Sequence, residues 1–490
     1  MPECAAASSE GAEGTVATSM AAAVGARGGV RRRPNLSLLA DRCATPRALA
    51  AVHAAMLVSG RLADDAFAAS RLLAAYAALS PPGGVLRLLA SLPCAPNSFM
   101  VNTTLRALAS SPDPASALGF FSLLRRDGSF SPGRHTFPFL LKASARLPLR
   151  ASEQLHALAV GHGLDHDAYV ANGLVRAYSL AGLVPAARRV FDGLPERSAV
   201  VCTTLVSGYA QNGMHEDAMW AFEEMVSDGF EPRGAALASV LSACARSGSR
   251  GLEMGRRVHE LMEARGMTAP VGVILGTALV DMYAKTGAME EARAVFDGMP
   301  ERHTATWNAL ITGLAHHGHG ERALATFHRM RREGVPPNAA TLVGVLSAYG
   351  RTGSGAARLD EARRVFASMD KDFSVAPTIQ HYGCMVDLLG RSGLLAEAEE
   401  MIRGMTTCDA DTVIWGALLT ACKNHGDIDV AERAVQEMLE LDPTNHGVYV
   451  VLSNMYAEAG RWQDVDRLRK VMKRARLSKI PGSSEVVGDG

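Results

Sequence analysis

Net charge is the first thing this chain lacks. Fifty lysines and arginines are balanced by fifty aspartates and glutamates, so the basic excess with which a protein holds nucleic acid by phosphate neutralisation is absent. Any nucleic-acid contact has to be local and aimed at bases. No run of about 18 uncharged apolar residues occurs, which leaves no helical membrane span. The eight cysteines, Cys4, Cys43, Cys94, Cys202, Cys244, Cys384, Cys408 and Cys422, contain no Cys-x-x-Cys spacing, so they read as reduced, mostly buried thiols rather than a metal or disulfide framework. A Gly-rich phosphate loop and a nucleophile elbow are missing as well. His319-Gly320-Glu321 has the His-x-Glu half of a zinc deaminase, but Pro-Cys-x-x-Cys occurs nowhere in the sequence. No zinc site can be completed, and no catalytic residue, metal or cofactor is implied.

What is present is a repeat. Phe191-Asp192-Gly193-Leu194-Pro195-Glu196-Arg197 returns as Phe296-Asp297-Gly298-Met299-Pro300-Glu301-Arg302, an offset of 105. Ser207-Gly208-Tyr209 returns as Thr312-Gly313-Leu314, and Val240-Leu241-Ser242-Ala243 as Val345-Leu346-Ser347-Ala348, at the same offset of 105. A period this regular means units that contact only their neighbours, a solenoid suited to an extended partner. At 48% hydrophobic and 20% charged residues the chain is globular in composition.

The helical pattern Ala-x-x-x-Phe-x-x-Met sets the register, because spacings of four and three share one helix face. It occurs at Ala117-Phe121-Leu124, Ala187-Phe191-Leu194, Ala218-Phe222-Met225, Ala292-Phe296-Met299, Ala323-Phe327-Met330, Ala362-Phe366-Met369, Ala398-Ile402-Met405 and Ala431-Val435-Met438. Each copy is expected to be the second helix of a hairpin. The first helix, such as 203–211, ends at a glycine such as Gly213, which offers a left-handed cap. Units then run 98–133, 134–167, 168–198, 199–233, 234–272, 273–303, 304–338, 339–378 and 379–411. Lengths of 31, 35 and 39 in the units 168–198, 199–233 and 234–272 together give the period of 105. The fold expected is all-α, stacked hairpins with no sheet. His53, His156 and His259 recur at intervals of 103 in second helices of long units and read as packing or hydrogen-bonding fixtures, not ligands.

The first 33 residues differ. From Met20 the chain runs through small residues and arginines to Pro34 without an acid, the composition of an organelle transit peptide; Glu3, Glu10 and Glu13 spoil it upstream, so a disordered tail or a start at Met20 are the other readings.

With the repeat built, the chain resembles plant pentatricopeptide-repeat proteins of the PLS subfamily, in which standard, long and short motifs alternate. The residues that carry this are Ser207 to Gly213, Ala278-Leu279-Val280-Asp281-Met282-Tyr283-Ala284-Lys285, Phe296 to Pro300 and His381-Tyr382-Gly383-Cys384-Met385-Val386-Asp387-Leu388-Leu389-Gly390-Arg391. Trp415-Gly416-Ala417-Leu418-Leu419, Leu441-Asp442-Pro443 and Leu452-Ser453-Asn454-Met455-Tyr456-Ala457 resemble the C-terminal E motifs. The resemblance implies a right-handed type of α-solenoid, with a repeat array over 34–411, E-motif hairpins over 412–478 and a short tail over 479–490. It also implies single-stranded organellar RNA as partner and, most of all, site recognition for C-to-U editing with a deaminase-bearing protein supplied in trans. DNA and membranes are not implied. Mitochondrion or chloroplast is expected, the mitochondrion slightly favoured.

The fifth residue of each unit carries the bottom-up case. In standard and short units it is Ser70, Asn102, Asn172, Thr203, Thr277 and Asn308; in long units it is Pro138, Ala238 and Val343. Asparagine, threonine and serine can meet a base edge. The plainer reading is helix capping, which those residues also favour, but capping alone does not explain why long units drop them. By resemblance the partner of each is the last residue of its unit: Asn97, Gly133, Ser198, Arg233, His303 and Asn338. Ser70 with Asn97 would favour adenine, Asn172 with Ser198 and Asn308 with Asn338 a pyrimidine, and Thr203 and Thr277 purines. Gly133, Arg233 and His303 depart from the usual residues, so their units would read weakly. Trp415, Trp462 and the basic run containing Arg467 and Lys470 are the expected contacts for a protein partner; the run also reads as a solvated helix face. Two other functions stay open: stabilising, processing or helping to splice an organellar transcript, and serving as a peptide-binding helical scaffold.

Overall fold

The computed structural model describes residues 36–128, 130–267, 272–352 and 355–474. The expected transit segment 1–33, the tail 479–490 and the basic residues Arg476 and Lys479 lie outside them. Every regular element among the described residues is a helix, as the sequence pattern predicts.

The chain forms two compact units, Met1–Val240 and Leu241–Gly490, each a succession of antiparallel helical hairpins. In the first, Ser98–Ala109 pairs with Ala115–Arg126, Phe137–Ser144 with Arg150–Gly161, Ala168–Leu180 with Val184–Asp192, and Ala199–Gln211 with His215–Ser227. In the second, Val273–Thr286 pairs with Met289–Gly298, Thr304–His316 with Gly320–Arg332, Ala339–Arg351 with Ala356–Ala367, Ile379–Arg391 with Leu395–Arg403, Thr412–His425 with Ile428–Leu441, and Gly447–Glu458 with Trp462–Arg474. First helices pack on the first helices of neighbouring hairpins as well as on their own second helices.

One hairpin explains the rest. Ser198 opens Ala199–Gln211 by accepting the Val201 N–H at 3.4 Å. Gly213, at φ +75°, closes it, and the Met214 N–H returns to the Tyr209 carbonyl at 3.1 Å. The chain then enters His215–Ser227, where Ala218, Phe222 and Met225 are all buried. Gly229 at φ +80° ends that helix, with Phe230 N–H on Met225 O at 3.1 Å. The same closures recur 105 residues on at Gly318 and Gly334. Burying each large apolar residue of this stripe contributes about 1.5–3 kcal/mol, so the stripe holds each hairpin shut.

Two glycines set how closely first helices approach. A Cβ on Gly313 would lie 2.5 Å from the Ala284 Cβ, and one on Gly208 would collide with the Ser179 side chain. The 105-residue repeat therefore preserves a packing contact, not only a turn.

In the second unit, ion pairs join second helix to second helix: Arg256 to Glu291 at 2.6 Å, Arg322 to Glu290 at 2.8 Å, Arg363 to Glu397 at 2.5 Å and Arg433 to Glu399 at 2.7 Å. Glu399 is buried, and the hydrogen bond from Arg433, with help from Arg403, holds its carboxyl below the ordinary value although burial opposes this. The long-unit histidines are hydrogen-bonding fixtures as expected. Nδ1 of His53, His156 and His259 lies 3.2, 2.9 and 3.0 Å from the hydroxyls of Tyr76, Tyr178 and Tyr283, each with the rings edge to face.

Candidate nucleic-acid interface

The fifth residues all lie in first helices, in the second turn except for Pro138, which is in the first turn of Phe137–Ser144; Ser70 is buried and the other side chains are partly covered. That placement follows from the start of each helix: a residue just before it caps the first turn, so the fifth residue comes about one turn inside the cap.

Two of the expected pairs are hydrogen-bonded. Asn97 caps Ser98–Ala109 through its Oδ1, which accepts the Met100 N–H at 3.0 Å, while its Nδ2 donates to Ser70 Oγ at 3.0 Å. Asn338 caps Ala339–Arg351 in the same way, its Oδ1 accepting the Thr341 N–H at 3.1 Å, and that oxygen also accepts from Asn308 Nδ2 at 3.0 Å. In these two units capping and pairing are thus one arrangement: the cap of the hairpin reaches back to the fifth residue of the hairpin before. The plainer reading and the functional one need the same asparagine.

The remaining pairs are not joined to each other. Asn172 Oδ1 accepts from the Thr204 hydroxyl at 2.6 Å, and Ser198 is occupied with its own cap. Thr277 and Thr306 share a hydrogen bond at 2.6 Å, while His303 is exposed and makes no capping bond. Thr203 donates back to the Ala199 carbonyl at 2.7 Å, and the exposed Arg233 beyond it has no side-chain partner among the described residues. The unit of Asn102 ends at Gly133, which has no side chain, and the buried Asn102 Oδ1 finds no hydrogen-bond partner among the described residues. A buried amide oxygen in that state costs about 1–3 kcal/mol unless something meets it. The long-unit residues Pro138, Ala238 and Val343 present no side-chain polar atom at this position.

The sequence reading missed a second row. Three residues before each of Ser70, Asn102, Asn172, Thr203 and Thr277 stands a large apolar side chain left in solvent: Phe67, Phe99, Tyr169, Val200 and Ile274, between 49% and 78% exposed. A spacing of three puts each on the helix face of its fifth residue. In the long units the same position holds His135, Ala235 and Ala340, and before Asn308 it holds Ala305, so large apolar groups accompany five of the six polar fifth residues. The signal was available as a fixed offset from the fifth residue, but single exposed apolar residues are common and draw no notice one at a time. Polar edge readers next to flat or branched apolar surfaces can take a base edge-on and stack it.

At the C-terminal hairpins one expectation is corrected. Trp415 is 3% exposed, packed under Arg403, whose guanidinium sits 5.8 Å from its ring. The apolar face of Thr412–His425 turns it inward, so it is core and not a surface contact. Trp462 is 64% exposed, and Arg467 and Lys470 are exposed on the same helix, with Arg467 pairing with Asp464 at 3.0 Å.

Stacked helical hairpins with a polar row on their first helices define an α-hairpin repeat protein. The chain belongs to the pentatricopeptide repeat family: it is 36% identical over 430 residues to a pentatricopeptide repeat-containing protein of Arabidopsis thaliana, covering 80% of this chain and 79% of the relative. A chloroplastic/mitochondrial Arabidopsis thaliana member is 38% identical over 409 residues, and a chloroplastic one 36% identical over 356 residues. The chain covers 80% and 72% of itself in these matches, but spans only 62% and 47% of those two relatives. The PPR repeat model matches residues 200–230, 277–303 and 381–409, the PPR repeat family model 302–351, and the E motif model 425–487. Among solved structures, the crystal structure of the pentatricopeptide repeat protein PPR10 in complex with an 18-nt psaJ RNA element matches with a TM-score of 0.66 at 17% identity, covering 95% of this chain and 72% of that one. At that identity the likeness shows the helical-solenoid fold.

Proposed function

We propose that the chain is a sequence-specific single-stranded RNA-binding protein of a plant organelle that marks cytidines for C-to-U editing and recruits a deaminase in trans. The observation that carries this reading is the Asn308–Asn338 pair, with its counterpart Ser70–Asn97: a base-reading amide or hydroxyl tied to the next hairpin's cap. The exposed apolar row three residues upstream supports it, since reading an unpaired base needs both an edge contact and a stacking surface. The neutral overall charge fits recognition by bases in place of phosphate attraction.

Residues 34–411 bind the transcript in this reading, and 412–478 hold the partner-facing surface. Trp462, Arg467 and Lys470 are the residues through which that surface takes the deaminase-bearing protein. The relatives' names, chloroplastic or mitochondrial, support an organelle without choosing between the two. The E motif match supports the editing role over stabilisation or splicing.

The test has two arms. Gel shifts of the full chain with a randomised single-stranded RNA pool, with and without excess duplex DNA, should yield an RNA-specific, sequence-enriched complex. Sequencing organellar transcripts from a loss-of-function plant should show one or a few cytidines left unconverted. Loss of transcript ends or splicing with every cytidine still edited would replace editing with the processing role.

A further inference from the structure

We propose that Thr341 is a specificity-determining positioning residue: its hydroxyl, together with Asn338 Oδ1, holds the Asn308 amide one way round toward a base. The inference rests on the RNA-reading role proposed above. It comes from a set of hydrogen bonds that ties Asn308, Asn338 and Thr341 together.

Asn338 Oδ1 faces the Thr341 backbone N–H at 3.1 Å, so that atom of Asn338 has to be the oxygen. The group of Asn308 that meets this oxygen at 3.0 Å therefore has to be the Nδ2 donor. Asn308 Oδ1 is then left toward Thr341 Oγ1, 2.6 Å away, and can only accept. Thr341 Oγ1 can supply that proton because it takes the Asn338 backbone N–H on a lone pair at 3.0 Å. Its other approach, to Asn338 Oδ1 at 3.1 Å, is longer. Turning Asn308 over would set its oxygen against Asn338 Oδ1, and would take from the Thr341 hydroxyl its acceptor at 2.6 Å, leaving it only the longer approach to Asn338 Oδ1 at 3.1 Å.

Closed in this way, Asn308 has one N–H and one oxygen lone pair left, in a fixed order. A base edge with the opposite order is disfavoured, because reversing the amide sets its oxygen against Asn338 Oδ1 and gives up the short bond from the Thr341 hydroxyl. Thr341 is fully buried, so it cannot itself touch RNA. Hydroxyls elsewhere act on the same principle: Thr204 holds one end of the Asn172 amide at 2.6 Å, and Thr306 holds Thr277 at 2.6 Å. At Asn102 the equivalent hydroxyl, Thr136, takes the Gly133 N–H at 3.2 Å but makes no bond to Asn102, whose oxygen is left unmet among the described residues.

The test is in vitro selection of a randomised single-stranded RNA pool with the full chain and five variants, followed by sequencing. Asn308→Ala locates the nucleotide read by its unit as the column whose base preference collapses. Thr341→Val keeps the side-chain shape and removes the hydroxyl; it is expected to lower the preference in that same column about two- to tenfold, the scale of one hydrogen bond, while other columns keep theirs. Thr341→Ser should retain the wild-type preference. Thr204→Val, at a partly exposed site where folding is not at stake, should act likewise on the column lost in Asn172→Ala, and it decides the matter if Thr341→Val melts below the assay temperature. No collapsed column in Asn308→Ala would overturn the reading assignment itself. A collapsed column in Asn308→Ala that Thr341→Val and Thr204→Val leave unchanged in their respective columns, or a uniform weakening of all columns, would overturn the positioning role alone.

Discussion

Asn97 Nδ2 donates to Ser70 Oγ at 3.0 Å, joining the cap of one first helix to the second turn of the helix before it. The Ser70 hydroxyl in turn donates to the Ala66 carbonyl at 2.7 Å, so the serine keeps one lone pair for a ligand. A contact between hairpins and a base-reading group are built from the same two side chains. Replacing either one therefore touches both recognition and folding, since Asn97 caps Ser98–Ala109 and Ser70 is buried.

Asn308→Ala and Asn172→Ala should each weaken binding to the selected RNA by about 1 kcal/mol or more, roughly fivefold, the loss of one hydrogen bond to a base. Ala238→Ser, in a long unit, should leave affinity within error. Fluorescence anisotropy with one labelled RNA measures all three. Equal losses at the three positions with melting unchanged would contradict the division between reading and non-reading units.

Gly313→Ala and Gly208→Ala should destabilise the chain by about 1–3 kcal/mol, since the added methyl has to push apart two packed first helices. Gly119→Ala, in the open middle of Ala115–Arg126 with nothing within 4 Å of its Cβ direction, should instead stabilise by up to about 1 kcal/mol. Urea midpoints separate the two signs.

His381 is fully buried, its Nδ1 accepting the Thr378 N–H at 3.1 Å and its Nε2 donating to the Ala339 carbonyl at 3.0 Å. Burial pushes this imidazole below its ordinary value, with the two backbone bonds opposing in part. The folded state resists a proton that the unfolded chain takes up, so its contribution to stability is complete above about pH 6.5 and is lost as pH falls below that value. Urea denaturation should show a stability drop on acidification through this window that is smaller in His381→Gln; an identical pH dependence in the two proteins would exclude His381 as the source.

Trp462→Ala combined with Arg467→Glu and Lys470→Glu should leave RNA affinity nearly unchanged and abolish or sharply reduce editing in a complementation line. Point changes are preferable to removing residues 412–490, because that cut strips Arg433 from the buried carboxylate of Glu399 and would lower stability for an unrelated reason. Full editing with the triple variant would remove this surface from partner binding.

Much of the fold was legible because one short pattern repeats. The Ala-Phe-Met stripe, with glycines such as Gly213 and Gly229, specifies helix, face and turn from local sequence. Ser70, Asn97, Asn308 and Asn338 were legible by position alone. The Thr341 hydroxyl was not, because it depends on a contact between residues 33 apart that no periodicity marks. Trp415 was misplaced because a tryptophan in a short helix reads the same on either face until the neighbouring hairpin covers it. Phe67, Phe99, Tyr169, Val200 and Ile274 escaped notice because their exposure, which gives them meaning, is a property of the packed array.

The most direct test of base recognition along the first helices is photocrosslinking of the full chain to its selected RNA carrying 4-thiouridine, with the crosslinked residues mapped by mass spectrometry. The expected crosslinks fall on Phe67, Phe99, Tyr169, Ile274 and the segments around Asn172 and Asn308, in an order that follows the RNA. Crosslinks confined to second helices, at Trp220 or the Arg322–Arg332 segment, or to Trp462–Lys470 alone, would contradict it.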